Sequence, residues 1–290
     1  MKNKRKVNST GVGLGLHARR ILAYVVLIIV SFFCLFWFYV LFVNATRSNS
    51  NLQSGFSVLP SSNLLSNWKH LLEKSGLPVI QGMLNSLIIS TCSAVFCLYF
   101  STMTAYAIHV YDFKLKKFIY PFILAVMMIP TQVTALGFVN LVSDMNLEDS
   151  FIPLIIPQIA VPITFFYMKQ YMESSLPLSL VEAARIDGSG EFRTFNHIVL
   201  PLMKPAIAVQ AIFTFVSSWN NYFIPALILH DDSKKTLPIL IAQLRAADWL
   251  KFDMGQVYIM IAFSIFPVIV VYLILSKHIV QGVALGSVKG

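Results

Sequence analysis

The chain contains 290 residues, of which 57% are hydrophobic and 12% charged, and its mean hydropathy is +0.71. An ordinary soluble domain has about 25% charged residues, so this composition excludes a soluble enzyme, while 23 Phe, 11 Tyr and 4 Trp exclude a disordered chain. The formal charge of +9 is spread between apolar blocks instead of gathered in one basic patch, so nucleic acid is not an expected partner.

In chain order, a basic segment at residues 1–20 is followed by six uncharged windows at 21–43, 79–105, 118–143, 150–168, 206–229 and 255–276. About 20 helical residues, rising about 1.5 Å each, cross a hydrocarbon core of about 30 Å. Lipid offers no partner to backbone groups, and these windows are about twice the length of a barrel strand. The expected fold class is therefore an all-α membrane protein with six transmembrane helices at residues 21–276 and a tail at 277–290. The first window is longer than the roughly 7–15 residues of a signal-peptide core, which favours an uncleaved span over the alternative suggested by Val43-Asn44-Ala45. Residues 48–68 are polar enough to read as a loop, and 63–73 have the apolar spacing of a short helix lying on the outer surface. Pro130, Pro153, Pro157, Pro162, Pro225 and Pro267 interrupt the windows, as expected of a bundle around an internal path. Cys34, Cys92 and Cys97 lie in apolar runs without metal-site or disulfide spacing.

If both termini face the cytoplasm, that side holds 15 of the 22 basic and 5 of the 13 acidic residues, a net +10 that leaves −1 outside. This is the positive-inside pattern of a multi-pass protein of a cytoplasmic membrane. The net charge is mostly a topology signal.

One cytoplasmic connection, at 176–205, is neither a simple turn nor a span. Ser179 and Glu182 have the spacing of a capping box, predicting a helix over 180–186. Asp187-Gly188 then predicts a stop, since Gly188 tolerates positive φ, and a second helix is expected over 191–199, closed by Pro201. Two short helices joined at a glycine make a projecting knob. Ala183 and Ala184 are small enough to enter a groove on another protein, and Leu180, Phe192, Phe195 and Ile198 offer apolar area. Glu182 has two compatible uses, capping its own helix or pairing with a basic residue of a partner.

Glu182-Ala183-Ala184, Asp187-Gly188, Phe195, Ile198, Leu200-Pro201 and Pro205 resemble the EAA loop of ABC importer permeases, departing only at Ser189-Gly190, where many carbohydrate permeases begin with Ala. Over almost its whole length the chain resembles the shorter permease of maltose-type sugar importers, the MalG family. Supporting stretches are Asn85-Ser86, Ala105-Tyr106-Ala107, Trp219-Asn220-Asn221-Tyr222 and the tail Gly286-Ser287-Val288-Lys289-Gly290. The resemblance implies a transport subunit rather than an enzyme, cycling by alternating access in the lipid bilayer. It implies a homologous second permease, ABC ATPase subunits and an extracytoplasmic solute-binding protein as partners. Glu182, Ala183, Ala184, Asp187, Gly188, Phe195, Ile198 and Pro201 are then the ATPase-coupling residues. The chain has no GxxxxGK[ST] phosphate loop, so no cofactor is expected on it, and ATP and Mg are expected on the partner ATPase. The family resemblance also implies that the tail 281–290 reaches between the ATPase subunits.

No Asp, Glu, Lys or Arg falls inside the six windows, which argues against an ion-coupled secondary carrier. Neutral polar residues do, and Asn85, Ser86, Gln132, Asn220 and Asn221 are the candidates for a translocation path suited to an uncharged polar solute such as a sugar. Their alternative use is to hydrogen-bond neighbouring helices. Permeation of glycerol phosphate or a polyamine stays open at this level. The outer loop 230–254 carries Asp231, Asp232, Lys234, Lys235 and Arg245, with an amphipathic stretch at 237–250. The resemblance places binding-protein contact there; a plain solvated loop is the other reading.

Overall fold

A computed structural model describes residues 10–246 and 253–287. The residues 1–9 of the basic N-terminal segment, 247–250 of the amphipathic stretch, and 288–290 of the tail lie outside the described residues. Every regular element is helical among those described.

Residues up to His70, together with Asp253–Ala262, form one compact unit. It contains α1 (Thr10–Ala45), α2 (Asn49–Gln53) and most of α3 (Leu64–Glu73). From Ile21 onward α1 is apolar on all sides and leaves almost all of that surface exposed, as a helix facing lipid does. Below it, the buried Asn67 amide donates to the carbonyls of Ala45 and Arg47 at 2.9 Å, and Arg47 donates to Gly55 O at 2.8 Å. Asn67 also lies so close to Gly255 that a Cβ there would sit 2.8 Å from its Oδ1. The segment expected as a loop over 48–68 thus begins with a short helix, because the Ser48 hydroxyl accepts the Asn51 N–H and caps it.

Leu71–Phe252 and Phe263–Gly290 form the second unit. Its central helix is α4 (Val79–Val110), buried along much of its length. Around it run α5 (Lys116–Val126), α6 (Thr131–Asp144), α7 (Ile152–Ile155) continuing as a 3₁₀ turn over Ile156–Ala160, and α8 (Pro162–Ser175). The knob follows as α9 (Leu178–Ile186) and α10 (Glu191–Thr194), then a π turn over Phe195–Val199 and α11 (Leu200–Leu202). The chain ends with α12 (Lys204–Trp219), α13 (Phe223–Ile228), α14 (Leu237–Arg245) and α15 (Met254–Ser287). The indole N–H of Trp219 donates to Ser264 O at 3.2 Å, tying the end of α12 to α15.

The windows at 118–143 and 206–229 are not continuous helices. A proline lacks its N–H and its ring collides with the carbonyl four residues earlier. Accordingly α5 ends at Val126, four before Pro130, and α6 leaves at 98°. Helix α12 stops two residues short of that position, at Trp219, and the chain unwinds through Asn220 and Asn221, the latter four before Pro225. Glu191–Leu202 and α12 form a second bent pair, at 79°. Among the described residues, four helices are long and apolar enough to cross a membrane, or up to six if each bent pair is one span.

Candidate functional site

Between α4, α6, α7, α8, α12 and α13 lies a cavity of about 1180 Å³. Its polar wall is built largely by α12, where Gln210, Thr214, Ser217, Ser218 and then Asn221 recur at helical spacing and share one face. Gln132 comes from the first turn of α6 and Gln158 from the 3₁₀ turn, while Tyr167 and Phe213 present aromatic surface. Among the described residues, no Asp, Glu, Lys, Arg or His lines it. The Oγ1 of Thr236 at its margin is buried without a hydrogen-bond partner among the described residues.

Asn85 and Ser86 sit in the early turns of α4, and both are buried. The Asn85 amide donates to Ser233 O and Lys235 O at 2.9 Å each and accepts from Gln81 Nε2 at 2.9 Å. The Ser86 hydroxyl accepts the Leu237 N–H at 2.8 Å. These side chains hold the 233–237 segment, the helix-to-neighbour use that neutral polar residues have in bundles. Ser86 also touches the cavity, whereas Asn85 and Asn220 do not line it; Gln132 and Asn221 do.

The knob is clipped to the opposite end of α4. Pro177 forces Leu176 into an extended conformation (φ −116°, ψ 96°), which ends α8 and starts α9. Helix α9 therefore begins at Leu178, two residues earlier than the capping-box reading places it, with Pro177 at the N-cap and no side-chain cap bond. Ser179 and Glu182 are inside the helix and exposed, so the capping box does not form. At the other end, Ser189 N–H bonds Ala184 O at 2.9 Å and Gly188 N–H bonds Arg185 O at 3.0 Å, a Schellman turn with Gly188 at φ 77°. Pro201 does not close the second helix. Upstream of it the ladder widens to a π turn in which Leu200 N–H reaches Phe195 O, and the helix runs on to Leu202.

Phe195 is only 2% exposed, stacked edge-on against Tyr99 at 5.6 Å and beside Tyr106 at 5.7 Å. It anchors the knob inward instead of offering surface to a partner, and Ala184 and Val181 are buried with it. The exposed apolar area belongs to Ile186 (87%) and Phe192 (72%), with Leu178 and Leu180 beside them. Glu182, Ala183, Asp187, Gly188 and Pro201 are exposed, and Ile198 is half-buried.

Arg185 Nε donates to Glu191 Oε1 at 2.7 Å, and Tyr106 donates its hydroxyl to Glu191 Oε2 at 3.0 Å. The Arg185 hydrogen bond holds the Glu191 carboxyl below the usual carboxylate range, aided by Tyr111, and in return Glu191 raises the already high Arg185 pKa. Partial burial, then Glu191, push the Tyr111 phenol up.

Around 230, Asp149 Oδ1 accepts the N–H groups of His230 and Asp231 at 2.6 and 2.8 Å. The Ser233 N–H, at 2.8 Å, holds the Asp231 carboxyl below its usual range. Lys235 is paired with Asp232, Lys234 lies 5.5 Å from the Phe151 ring centroid, and Arg245 is in the last turn of α14, apart from the others.

Residues 98–285, more than half the chain, match the family described as binding-protein-dependent transport system inner membrane component. The chain belongs to this family. Among its relatives, the arabinooligosaccharides transport system permease protein AraQ of Bacillus subtilis (strain 168) is 37% identical over 209 residues, 71% of this chain and 72% of the relative. The sn-glycerol-3-phosphate transport system permease protein UgpE of Yersinia pestis is 31% identical over 267 residues, 90% of this chain and 95% of the relative. A solved bacterial ABC transporter involved in the import of the acidic polysaccharide alginate has a chain of the same fold. It superposes with a TM-score of 0.77 at 22% identity, over 94% of this chain and 99% of that one. This is thus a multi-pass membrane permease of an ABC importer, a transport subunit and not an enzyme.

In this permease the residues singled out from sequence divide. Gln132 and Asn221 meet in the cavity; Asn85 and Ser86 secure the 233–237 segment; Asn220 stands in the unwound connection. Gln158, Gln210, Thr214 and Thr236 were missed. The 210, 214, 217, 218, 221 spacing was a readable signal for two of them.

Proposed function

We propose that this permease carries a neutral sugar or oligosaccharide through a six-span bundle, with α5 and α6 together making one span, α12 and α13 together making another, and both termini in the cytoplasm. The observation that carries this reading is the cavity of about 1180 Å³ with no charged side chain in its wall. Amides and hydroxyls exchange hydrogen bonds with sugar hydroxyls, and aromatic faces pack against pyranose C–H groups. The likeness to AraQ supports the same solute class.

The knob at 176–205 is the coupling loop in this reading. Ile186 and Phe192 dock on a separate ATPase that binds ATP and Mg, and Glu182 pairs with a basic residue there. A second, homologous permease completes the path, and a solute-binding protein delivers the solute at the 230–246 side. Glycerol phosphate is the competing solute, favoured by the likeness to UgpE. Against it, a phosphate entering this cavity would lose its hydration with no cation to replace it.

Copurification in mild detergent, identification of the associated binding protein, and affinity measurements across oligosaccharides, sn-glycerol 3-phosphate and polyamines test the assignment. The expected outcome is selective binding of an oligosaccharide together with ATP-dependent uptake of it by the reconstituted complex. Binding of only the phosphate ester or a polyamine would overturn it.

A further inference from the structure

Glu191 is positioned to do more than stabilise a loop. It opens α10, where a carboxylate suits the positive end of the helix, and its ion-pair partner Arg185 lies in the last turn of α9, where a cation suits the negative end. Their 2.7 Å contact spans the Gly188 turn and makes the two halves of the knob one body. The second carboxylate oxygen is not left to water, since Tyr106 of α4 donates to it at 3.0 Å. Tyr111, just past the end of α4, is also in the cluster, with the Arg185 guanidinium 5.5 Å from its ring centroid.

Apolar and backbone contacts point the same way. Phe195 seats between Tyr99 and Tyr106, and His109 of α4 hydrogen-bonds Leu176 O at 3.0 Å. The π turn that contains Phe195 re-aims it toward α4, a use such turns commonly have at functional positions. At its far end the same α4 holds the 233–237 segment through Asn85 and Ser86 and borders the cavity at Ser86 and Ile89. A single 32-residue helix therefore carries polar clamps at both ends.

We propose that Glu191 is a positioning residue for energy coupling, clipping the knob to α4 so that a displacement of the knob moves α4 and, with it, the cavity wall and the 233–237 segment. This rests on the reading of the knob as the ATPase-docking loop. Glu191 itself touches neither solute nor ATPase in this role; it acts through Tyr106 and Arg185. Without the clip, the knob follows the ATPase while α4 lags, and ATP is hydrolysed without transport. A merely structural role would lower hydrolysis and uptake together.

The test uses the complete importer in proteoliposomes and reads solute taken up per ATP hydrolysed. Glu191→Ala is expected to assemble, to hydrolyse ATP, and to lose about fivefold or more of that ratio. Tyr106→Phe should lose part of it. The charge-exchanged pair Arg185→Glu with Glu191→Arg restores the ion pair within the knob but removes the acceptor of Tyr106, so its ratio should stay low. An unchanged ratio in Glu191→Ala overturns the proposal. If Glu191→Ala does not assemble, Tyr106→Phe decides: a lowered ratio with hydrolysis retained supports it, and an unchanged ratio overturns it. Failure of the wild-type importer to couple uptake to ATP would instead strike the functional reading itself.

Discussion

The hydroxyl of Ser86 accepts the backbone N–H of Leu237 at 2.8 Å, joining the early turns of α4 to the first residue of α14 across 151 positions of sequence. Asn85, one residue earlier, secures Ser233 and Lys235 in the same manner. The 233–237 segment is thus held by three directed bonds from two adjacent side chains. Ser86→Ala leaves the buried Leu237 N–H without its partner at a cost of about 1–3 kcal/mol, and Asn85→Ala abandons two carbonyls at a similar cost. Either variant should lower the thermal midpoint and speed proteolysis at 230–236. Wild-type cleavage rates in both would refute this account of the segment.

Gly137 of α6 faces the cavity, and a Cβ built on it meets nothing within 4 Å. Its backbone is helical, so Gly137→Ala should keep transport and stabilise the helix by about 0.5–1 kcal/mol. Gly137→Leu and Gly137→Trp should then reduce uptake progressively by filling the cavity, with hydrolysis by the assembled complex retained. Equal uptake across the series would exclude this cavity from the solute path.

Buried and exposed aromatics of the knob should behave oppositely. Ile186→Asp or Phe192→Asp, at positions open to solvent, should weaken copurification of the ATPase while leaving the permease's own melting temperature unchanged. Phe195→Ala removes a side chain packed against Tyr99 and Tyr106 and should cost about 3–5 kcal/mol of permease stability. ATPase retention by both exposed-site variants would show that docking lies elsewhere.

The Glu191 clip should be insensitive to pH in the physiological range. Its carboxyl pKa is lowered in the folded protein, chiefly by the Arg185 hydrogen bond, so its contribution is fully present above the ordinary carboxylate value and is lost only as pH falls through the lowered one. Arg185 is raised and stays charged, and Tyr111 is raised and stays a neutral donor. Protease protection of 176–205 should be flat from about pH 7.5 to about pH 9 and reduced throughout that range in Glu191→Gln. A titration of protection within that range would contradict the assignment.

Much of the architecture was legible in the sequence because it rests on local properties. Hydropathy over about 20 residues marks what can enter lipid, and the loss of a proline N–H marks where a helix must break. The break at Val126 could have been placed by counting four residues back from Pro130, whereas the same count from Pro225 lands on Asn221, two residues past the end of α12 at Trp219. The Gly188 stop was legible for the same reason, since only local φ decides it. Spacing misled where two local signals competed: Ser179 and Glu182 have capping-box spacing, but Pro177 starts α9 earlier and leaves both inside the helix.

What a polar or aromatic side chain faces depends on which helices meet, and that was decided only in three dimensions. Asn85 and Asn221 are both amides in apolar windows, yet one is spent on two backbone carbonyls and the other lines the cavity. Phe192 and Phe195 are three residues apart, and the π turn between Phe195 and Val199 helps place one in solvent and the other beneath α4's tyrosines. The Glu191 clip joins residues 85 positions apart. Composition and short-range sterics specified the helices and their breaks; the pairing of their faces assigned each neutral polar residue its partner.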